Sequence, residues 1–236
     1  MSTSISKERY KHLNNYLKNK FGERTLKICI DGNFTCPNRD GTIGTTGCIF
    51  CSERGSGEHI PCNHIQNSID SITSQTHNYF SSYKASRANK FIAYFQNFTN
   101  TYDSIANLKN KYDAALIDSR IVGLEIATRP DCINEDIAKL LKSYTDKYYV
   151  CVELGLQTSN DITGKLICRG YTSKNFTNAV SILNKYDIDI VAHIMVGLPN
   201  ETKKDIKNTI KFLNNHKIQG IKIHSTYVVK NTILAD

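Results

Sequence analysis

The sequence contains no long apolar run. None of its 236 residues belongs to a segment approaching the roughly 20 consecutive apolar residues that a transmembrane helix needs. The opening MSTSISKERY also lacks the apolar stretch that a secretory signal requires. These two absences predict a cytoplasmic protein with no membrane partner.

The sequence also lacks the segments that divide a chain into domains. No long Gly/Ser-rich, Pro-rich or single-charge stretch marks a linker, and apolar residues are spread along the whole length. A chain of this length can bury the core of one large domain. We therefore expect a single domain over residues 1–236.

The charge balance is basic, with a formal net charge of +8. Such a charge suits a nucleic-acid or other phosphate-bearing partner, because binding releases counterions. Lysine, isoleucine and asparagine are abundant throughout, as an AT-rich genome produces, and no arginine-rich patch stands out. The charge alone therefore leaves a nucleic-acid surface and an ordinary solvated basic surface equally open.

Six short runs rich in β-branched and aromatic residues alternate with segments of helical period. The runs predict strands at 24–30, 90–96, 121–127, 149–157, 189–197 and 220–226. Apolar residues at helical spacing predict helices within 65–83, 137–144, 176–183 and 206–213, and Asn134 is expected to cap the second of these. Repeated βα units indicate an α/β fold whose parallel sheet rolls toward a barrel.

The predicted strands have one large apolar face and one small or polar face. In the third strand Val122, Leu124 and Ile126 alternate with Gly123, Glu125 and Ala127. The fourth and fifth strands continue the pattern, placing Glu153, Gln157 and His193 on the polar face. A complete barrel usually fills its interior with Val, Ile and Leu. The polar face is therefore expected to line an occupied cavity, although each polar residue taken alone could be a satisfied core group.

Three of the eight cysteines, Cys36, Cys48 and Cys51, lie in one glycine-containing loop directly after the first strand. In a reducing compartment such a group indicates metal binding or catalysis rather than disulfides. A structural zinc would need a fourth ligand, for which His59, Cys62 and His64 are candidates. An iron–sulfur cluster would need only three thiolates if one iron stayed open. The loop follows a strand, at the mouth where barrel active sites form, and this favours the cluster.

Several stretches resemble the signature segments of one family. In order they are DGNFTCPNRDG, GCIFCSERGSG, YFQNFTNTY, ATRPD, VELGLQT, RGY, HIMVGLPNET and GIKIHSTYVVKNT. They are similar to the YhcC/YtqA-type radical S-adenosylmethionine (SAM) proteins, relatives of the radical-SAM half of the Elongator catalytic subunit. The long gap between Cys36 and Cys48 departs from the C-x3-C-x2-C of most of the superfamily but occurs in this branch.

The resemblance implies a fold and a chemistry. The fold is a partial (βα)6 TIM-like barrel, and Cys36, Cys48 and Cys51 would bind three irons of a [4Fe-4S] cluster. The amino and carboxylate groups of SAM would chelate the fourth iron. An electron from a donor such as flavodoxin or ferredoxin would then cleave SAM to methionine and a 5′-deoxyadenosyl radical that abstracts hydrogen from the substrate.

The resemblance also assigns cofactor contacts, at Phe50, Glu125, Gln157, Arg169 and His193. Glu125, Gln157 and Arg169 match positions that contact the amino, ribose and carboxylate parts of SAM in related enzymes. Phe50 is the aromatic residue before the last cysteine of the motif. His193 stands where some relatives carry a ribose-binding aspartate, and a satisfied core histidine is the alternative.

Four further positions bear on these assignments. Glu153 either orients Arg169 or is a buried hydrogen-bonded acid. Cys168 and Tyr171 replace the usual Asn and His around the RG motif. Leu198 lies in a GLP turn that resembles the turn packing near adenine.

The chain also ends soon after the sixth strand. We therefore expect a core truncated there, without the C-terminal extension of the family and with its cysteine loop at 32–55.

The family branch is associated with tRNA wobble-uridine maturation. The resemblance therefore implies tRNA as substrate, with a carboxymethylaminomethyl side chain converted to aminomethyl. The alternative function is a zinc-stabilised RNA-binding module without radical chemistry. The sequence predicts no oligomeric state.

Overall fold

The computed structural model describes residues 9–55, 57, 60 and 68–236. Its helices and strands, in chain order, are α1 (Leu13–Phe21), β1 (Thr25–Ile30), α2 (Ser68–Ser81), β2 (Lys90–Phe95), α3 (Ile105–Ala115), β3 (Ile121–Thr128), α4 (Glu135–Lys142), β4 (Tyr149–Gln157), α5 (Asp161–Leu166), α6 (Ser173–Lys185), β5 (Asp189–Val196), α7 (Lys203–Asn214) and β6 (Gly220–Ser225). Short 3₁₀ helices cover Tyr83–Arg87 and Pro130–Cys132.

The six strands form one parallel sheet in the order β1-β2-β3-β4-β5-β6. Each predicted strand is confirmed to within one residue at either end. Helices occupy all four stretches in which the sequence predicted them. The expected cap of α4 is also present, since Asn134 Oδ1 accepts a hydrogen bond from Ile137 N at 2.9 Å.

Three helices, α1, α3 and the short α5, lie outside the four predicted stretches. Helix α1 precedes the first strand and buries only Leu17, so its sequence shows little apolar periodicity. Helix α3 buries Leu108, Tyr112, Ala114 and Ala115, but polar residues and two alanines weaken the pattern. Its N-terminus is marked instead by Ser104, whose side chain accepts from Asn107 N.

The sheet curls so far that strands distant in its order meet across the interior. The Glu153 carboxylate on β4 contacts Lys27 Nζ on β1 at 2.7 Å and Lys222 Nζ on β6 at 3.0 Å. Tyr94 on β2 and His193 on β5 reach the same carboxylate at 2.5 and 2.6 Å. Contacts from four strands to one carboxylate give the partial-barrel shape that the sequence predicted.

The apolar core lies outside this curl, between the sheet and the helices. Buried residues of the predicted apolar strand faces, such as Leu124, Val152 and Ile190, belong to one cluster with the helix residues Leu141 and Phe176. The strands therefore direct their polar faces inward, as the alternation predicted. Within the described residues, we find no helix with the length and apolar character needed to span a bilayer.

Candidate active site

A cavity of about 340 Å³ lies inside the curl, of a size typical for small-molecule sites. All three loop cysteines line it, together with Phe50. The strands and the residues that follow them contribute Tyr94, Gln96, Ala127, Thr128, Arg129, Glu153, Gly155, Gln157, His193, Met195, Lys222 and His224. The cysteine loop is thus brought over the polar inner face of the sheet, as the sequence predicted.

The cysteine loop is shaped by close backbone approach. Gly47 has a φ of +80°, and a Cβ there would lie 2.9 Å from Arg39 Nε. The Arg39 guanidinium can therefore pass beneath the loop, where its Nη2 donates to the carbonyl oxygens of Cys51 and Ser52 at 2.9 and 2.5 Å. These contacts fix the loop next to its last cysteine.

Two hydrogen-bond donors, to which sequence analysis assigned no role, lie beside the thiols. Arg129 Nη1 lies 3.8 Å from Cys36 Sγ, and Asn38 Nδ2 lies 3.6 Å from Cys48 Sγ. Arg129 is held by a bidentate ion pair with Asp131, at 3.0 and 2.7 Å. Both residues lie within segments that resemble the family, CPNRDG and ATRPD, which was the available signal.

Burial, together with smaller contributions from the neighbouring Cys51 and Cys36, raises the pKa of the Cys48 thiol to about 12. Arg129 and Asn38 act in the opposite direction. Such a thiol stays protonated in isolation, whereas a bound metal ion deprotonates a coordinating thiol outright. The three thiols are therefore suited to binding a metal centre, which would hold them as thiolates.

The Arg169 side chain is engaged by the protein itself. Its side chain is fully buried and does not line the cavity. Its guanidinium donates to the carbonyls of Tyr171, Leu156 and Thr158 at 2.9, 2.6 and 2.7 Å, and to Asp161 at 2.8 Å. These donors tie the end of β4 to the loop after α5, and the contact of Arg169 with the SAM carboxylate stays a prediction.

The Tyr171 ring lies between two guanidinium groups. The Cζ atoms of Arg129 and Arg169 are 4.7 and 4.8 Å from its centroid. Its hydroxyl lies 2.8 Å from Gln157 Oε1. Gln157 has a φ of +59°, and its side chain folds over Gly155, where a Cβ would lie 2.8 Å from Gln157 Nε2. Tyr171 thus orients Gln157 at the cavity wall.

Phe50 lines the cavity and packs against a small apolar cluster of Ile49, Ile167 and Leu198. Leu198 belongs to the GLP turn after β5 and is 3% exposed. This turn therefore supports the cysteine loop from behind, and Leu198 itself does not line the cavity.

The floor of the cavity is a network of ionisable side chains centred on Glu153. This residue bonds Lys27, Tyr94, His193 and Lys222. Among the described residues these four are its hydrogen-bond partners and Arg169 is not, so of the two predicted roles the structure shows the buried hydrogen-bonded acid. His193 combines its two predicted roles in part, because its Nε2 is satisfied by Glu153 while the ring lines the cavity.

Glu125 lies behind the cavity floor. It is 3% exposed, does not line the cavity, and lies 2.7 Å from Lys27 Nζ through its Oε2. The expected contact with the SAM amino group is not supported by this position, because Glu125 lies behind the floor and is already paired. Strand alternation correctly placed the Glu125 side chain on the inner face of the sheet, but it could not show how far that side chain lies below the cavity surface.

Comparing the sequence with models of known protein families identifies the family of this chain. The model of the radical SAM superfamily matches residues 40–213. The chain belongs to the radical SAM superfamily. Three curated relatives are YtqA of Bacillus subtilis (38% identical, covering 97% of this chain and 70% of the relative), YhcC of Escherichia coli K12 (33%, 93% and 69%) and a tRNA uridine(34) acetyltransferase of Dehalococcoides mccartyi (34%, 49% and 25%).

Solved structures of radical SAM proteins share the fold. Elp3 of Methanocaldococcus infernus has a TM-score of 0.59 at 17% identity, covering 89% of this chain and 48% of that one. Coproporphyrinogen III oxidase of E. coli has a TM-score of 0.61 at 14% identity, and the match covers 95% of this chain and 50% of that one. TsrM of Kitasatospora setae, solved with cobalamin and a [4Fe-4S] cluster, has a TM-score of 0.58 at 15% identity, and the match covers 93% of this chain and 37% of that one. The chain spans half or less of these structures.

The radical SAM cofactors fit the residues present. Across the described parts of the chain, no three His, Cys, Asp or Glu side chains group as ligands of one metal ion. The three thiols share one cavity wall, and N–H donors lie beside two of them, which suits the binding of three irons of a cluster. The proposed fourth zinc ligands, His59, Cys62 and His64, lie outside the described residues. Thr99, a cavity residue, has a buried hydroxyl oxygen without a hydrogen-bond partner, which a bound polar ligand would satisfy.

Glu125 gives this radical SAM core a predicted pH dependence. Burial and the charge of Glu153 raise its pKa to about 8, from an ordinary value of 4.5. Between these values the native state holds a proton that the unfolded chain has lost, so the free energy of unfolding should fall as pH rises. In Glu125→Gln the fall from pH 5 to 9 should be smaller by at least about 1 kcal/mol.

Urea unfolding across this pH range measures the effect. Asp146→Asn, which alters an exposed carboxylate, should leave the parent profile unchanged. A Glu125→Gln profile identical to that of the parent would show that Glu125 is ionised in the folded protein throughout the range.

Proposed function

We propose that this chain binds a [4Fe-4S] cluster through Cys36, Cys48 and Cys51, cleaves SAM reductively, and acts on the side chain of a tRNA wobble uridine. The proposed reaction would convert the carboxymethylaminomethyl group to aminomethyl. The CH2 carbon next to the carboxylate would lose one hydrogen atom to the deoxyadenosyl radical and one electron to the cluster. Water would then hydrolyse the resulting imine and release the two carbons as glyoxylate. The observation that carries the radical part is the placement of all three thiols over one cavity with a polar, ionisable floor.

When bound, the cluster and SAM supply an electron and a 5′-deoxyadenosyl radical as hydrogen acceptor. The protein's own residues hold and shield that chemistry. Arg129 and Asn38 direct N–H groups at the thiols and would stabilise the negative charge of the bound thiolates. The curled sheet restricts the access of water.

Side chains on the cavity wall are the proposed contacts of SAM. The amide of Gln157, oriented by Tyr171, would hydrogen-bond the ribose hydroxyls. Phe50 would offer its ring to an apolar part of the cofactor, and His193 and the hydroxyl of Thr99 would contact its polar groups. Arg169 and Glu125 are left out of this set because both are committed to protein partners.

The tRNA part rests on different support. Partial relatives in D. mccartyi and Methanocaldococcus jannaschii are named tRNA uridine(34) acetyltransferases, and they cover 49% and 50% of this chain. The net charge of +8 suits an RNA partner. Reaction on tRNA would take place in the cytoplasm and would need an external electron donor such as flavodoxin or ferredoxin.

Deleting the gene tests the substrate. Carboxymethylaminomethyl uridine should accumulate in tRNA at the expense of the aminomethyl form, as measured by mass spectrometry of digested tRNA. The wild-type gene supplied in trans should restore the profile, whereas a gene carrying Cys48→Ala should not. An unchanged profile would remove tRNA from the proposal and leave the cleavage of SAM to be judged separately.

A further inference from the structure

Lys222 on β6 has hydrogen-bonding capacity directed at the cavity. Its Nζ lies 2.8 Å from Tyr94 Oη and 3.0 Å from Glu153 Oε2. An ammonium has three N–H donors, so these two contacts leave a third. The side chain is 35% exposed and lines the cavity. By contrast, Lys27 lies behind the floor between two carboxylates.

His224 adds a second unused group on the same strand face. It stands two residues after Lys222, so both side chains point inward. Its Nε2 is buried and has no hydrogen-bond partner within the described part of the protein. Burial, together with smaller contributions from His193 and Lys222, lowers the pKa of His224 to about 4, so the ring is neutral and can donate through Nε2.

The group formed by Lys222 and Glu153 at the floor, with Lys27 and Glu125 behind it, carries one positive charge more than its carboxylates neutralise. Lys27 and Lys222 contribute two positive charges, and Glu153 contributes one negative charge because its cationic neighbours outweigh burial and hold its pKa well below the usual range. Glu125, with a pKa of about 8, is mainly neutral at pH 7. An enclosed excess of positive charge favours an anionic ligand.

We propose that Lys222 and His224 bind a carboxylate of the substrate and so select substrates whose reacting side chain ends in an acid. A carboxylate can accept from the third ammonium N–H and from the imidazole N–H together. The inference rests on the proposed function, in which the carboxymethylaminomethyl substrate carries this group and the aminomethyl product does not. Product would therefore lose the contact and leave.

The test is equilibrium binding to the full reconstituted chain with SAM present and no reductant, so that no turnover occurs. Two labelled anticodon stem-loops, identical except for carboxymethylaminomethyl or aminomethyl uridine, are titrated by fluorescence anisotropy. The parent should prefer the acid by about tenfold or more. Lys222→Met should lose that preference while keeping its affinity for the aminomethyl stem-loop. His224→Phe should lose part of it.

Lys142→Met is the matched control, because it removes an exposed lysine of α4 that does not line the cavity. It should behave as the parent. Circular dichroism checks the folding of each variant, and if Lys222→Met fails to fold, Lys222→Gln and His224→Phe take its place. A preference for the acid that survives in folded Lys222 variants would overturn the inference.

Two further outcomes distinguish a substrate carboxylate from the SAM carboxylate, and failure of the tRNA proposal from failure of the carboxylate site. Weaker SAM binding in Lys222→Met with an unchanged substrate preference would assign Lys222 to the SAM carboxylate and overturn the inference. If neither stem-loop binds the parent, the tRNA proposal fails, and N-butylglycine and butylamine are compared by calorimetry instead. Selective binding of the acid, lost in Lys222→Met, would still support the carboxylate site, and equal binding would overturn it.

Discussion

Replacing Cys48 by alanine should abolish the visible iron–sulfur absorbance and the formation of 5′-deoxyadenosine. Cys48 lies in the middle of the three thiols, and its pKa of about 12 in the absence of metal reflects burial beside Cys51 and Cys36. Two thiolates would not hold a cluster with one defined open iron. The measurement is anaerobic reconstitution with iron and sulfide, then the visible spectrum, then product detection after adding SAM and dithionite.

Two other cysteines serve as controls. Cys168→Ala removes an exposed thiol outside the cavity and should leave both signals near parental levels. Cys62→Ala, outside the described residues, separates the cluster from zinc, since a closed zinc site requires a fourth protein ligand. Loss of the metal site in Cys62→Ala, together with about one zinc and no iron per chain in the parent, would refute the radical SAM mechanism for this chain.

Replacing Arg169 by alanine should lower the free energy of unfolding by about 3 kcal/mol. The substitution leaves the carbonyls of Leu156 and Thr158 without their donor and removes one of the two guanidinium groups stacked on Tyr171. It also leaves a space beside Gly164, whose missing Cβ makes room for the guanidinium. Urea denaturation followed by circular dichroism measures the loss.

Arg169→Lys and Arg87→Ala complete this experiment. Lysine keeps the charge but has one nitrogen, so it cannot serve four acceptors in the guanidinium plane and should recover only part of the stability. Arg87 is exposed, and its alanine variant should change stability by less than about 0.5 kcal/mol. A folded Arg169→Ala with parental stability but weakened SAM binding would restore the original assignment of Arg169 to the SAM carboxylate.

Glu125 and Arg169 show where inference from the sequence reached its limit. Gln157 and Arg169 were both assigned to SAM from matching motifs, yet only Gln157 lines the cavity. The turn after α5 brings the Arg169 backbone carbonyl to Asn38, beside the cysteine loop, while its side chain points away into the β4 end. A motif fixes residue identity and spacing, but the direction of a side chain in an irregular loop depends on contacts that spacing does not encode.

The sequence by itself determined the six strands, the parallel βα order, the polar inner face and the three cysteines at the mouth. These follow from local rules, namely the two-residue period of a strand and the position of a loop after it. Only the tertiary structure decided the depth of each inner side chain and its partners. Curling brings Lys27, Glu153 and Lys222 together from β1, β4 and β6, although more than 60 residues separate each from the next. That contact, which no local pattern specifies, placed Glu125 behind the floor and left Lys222 facing the cavity.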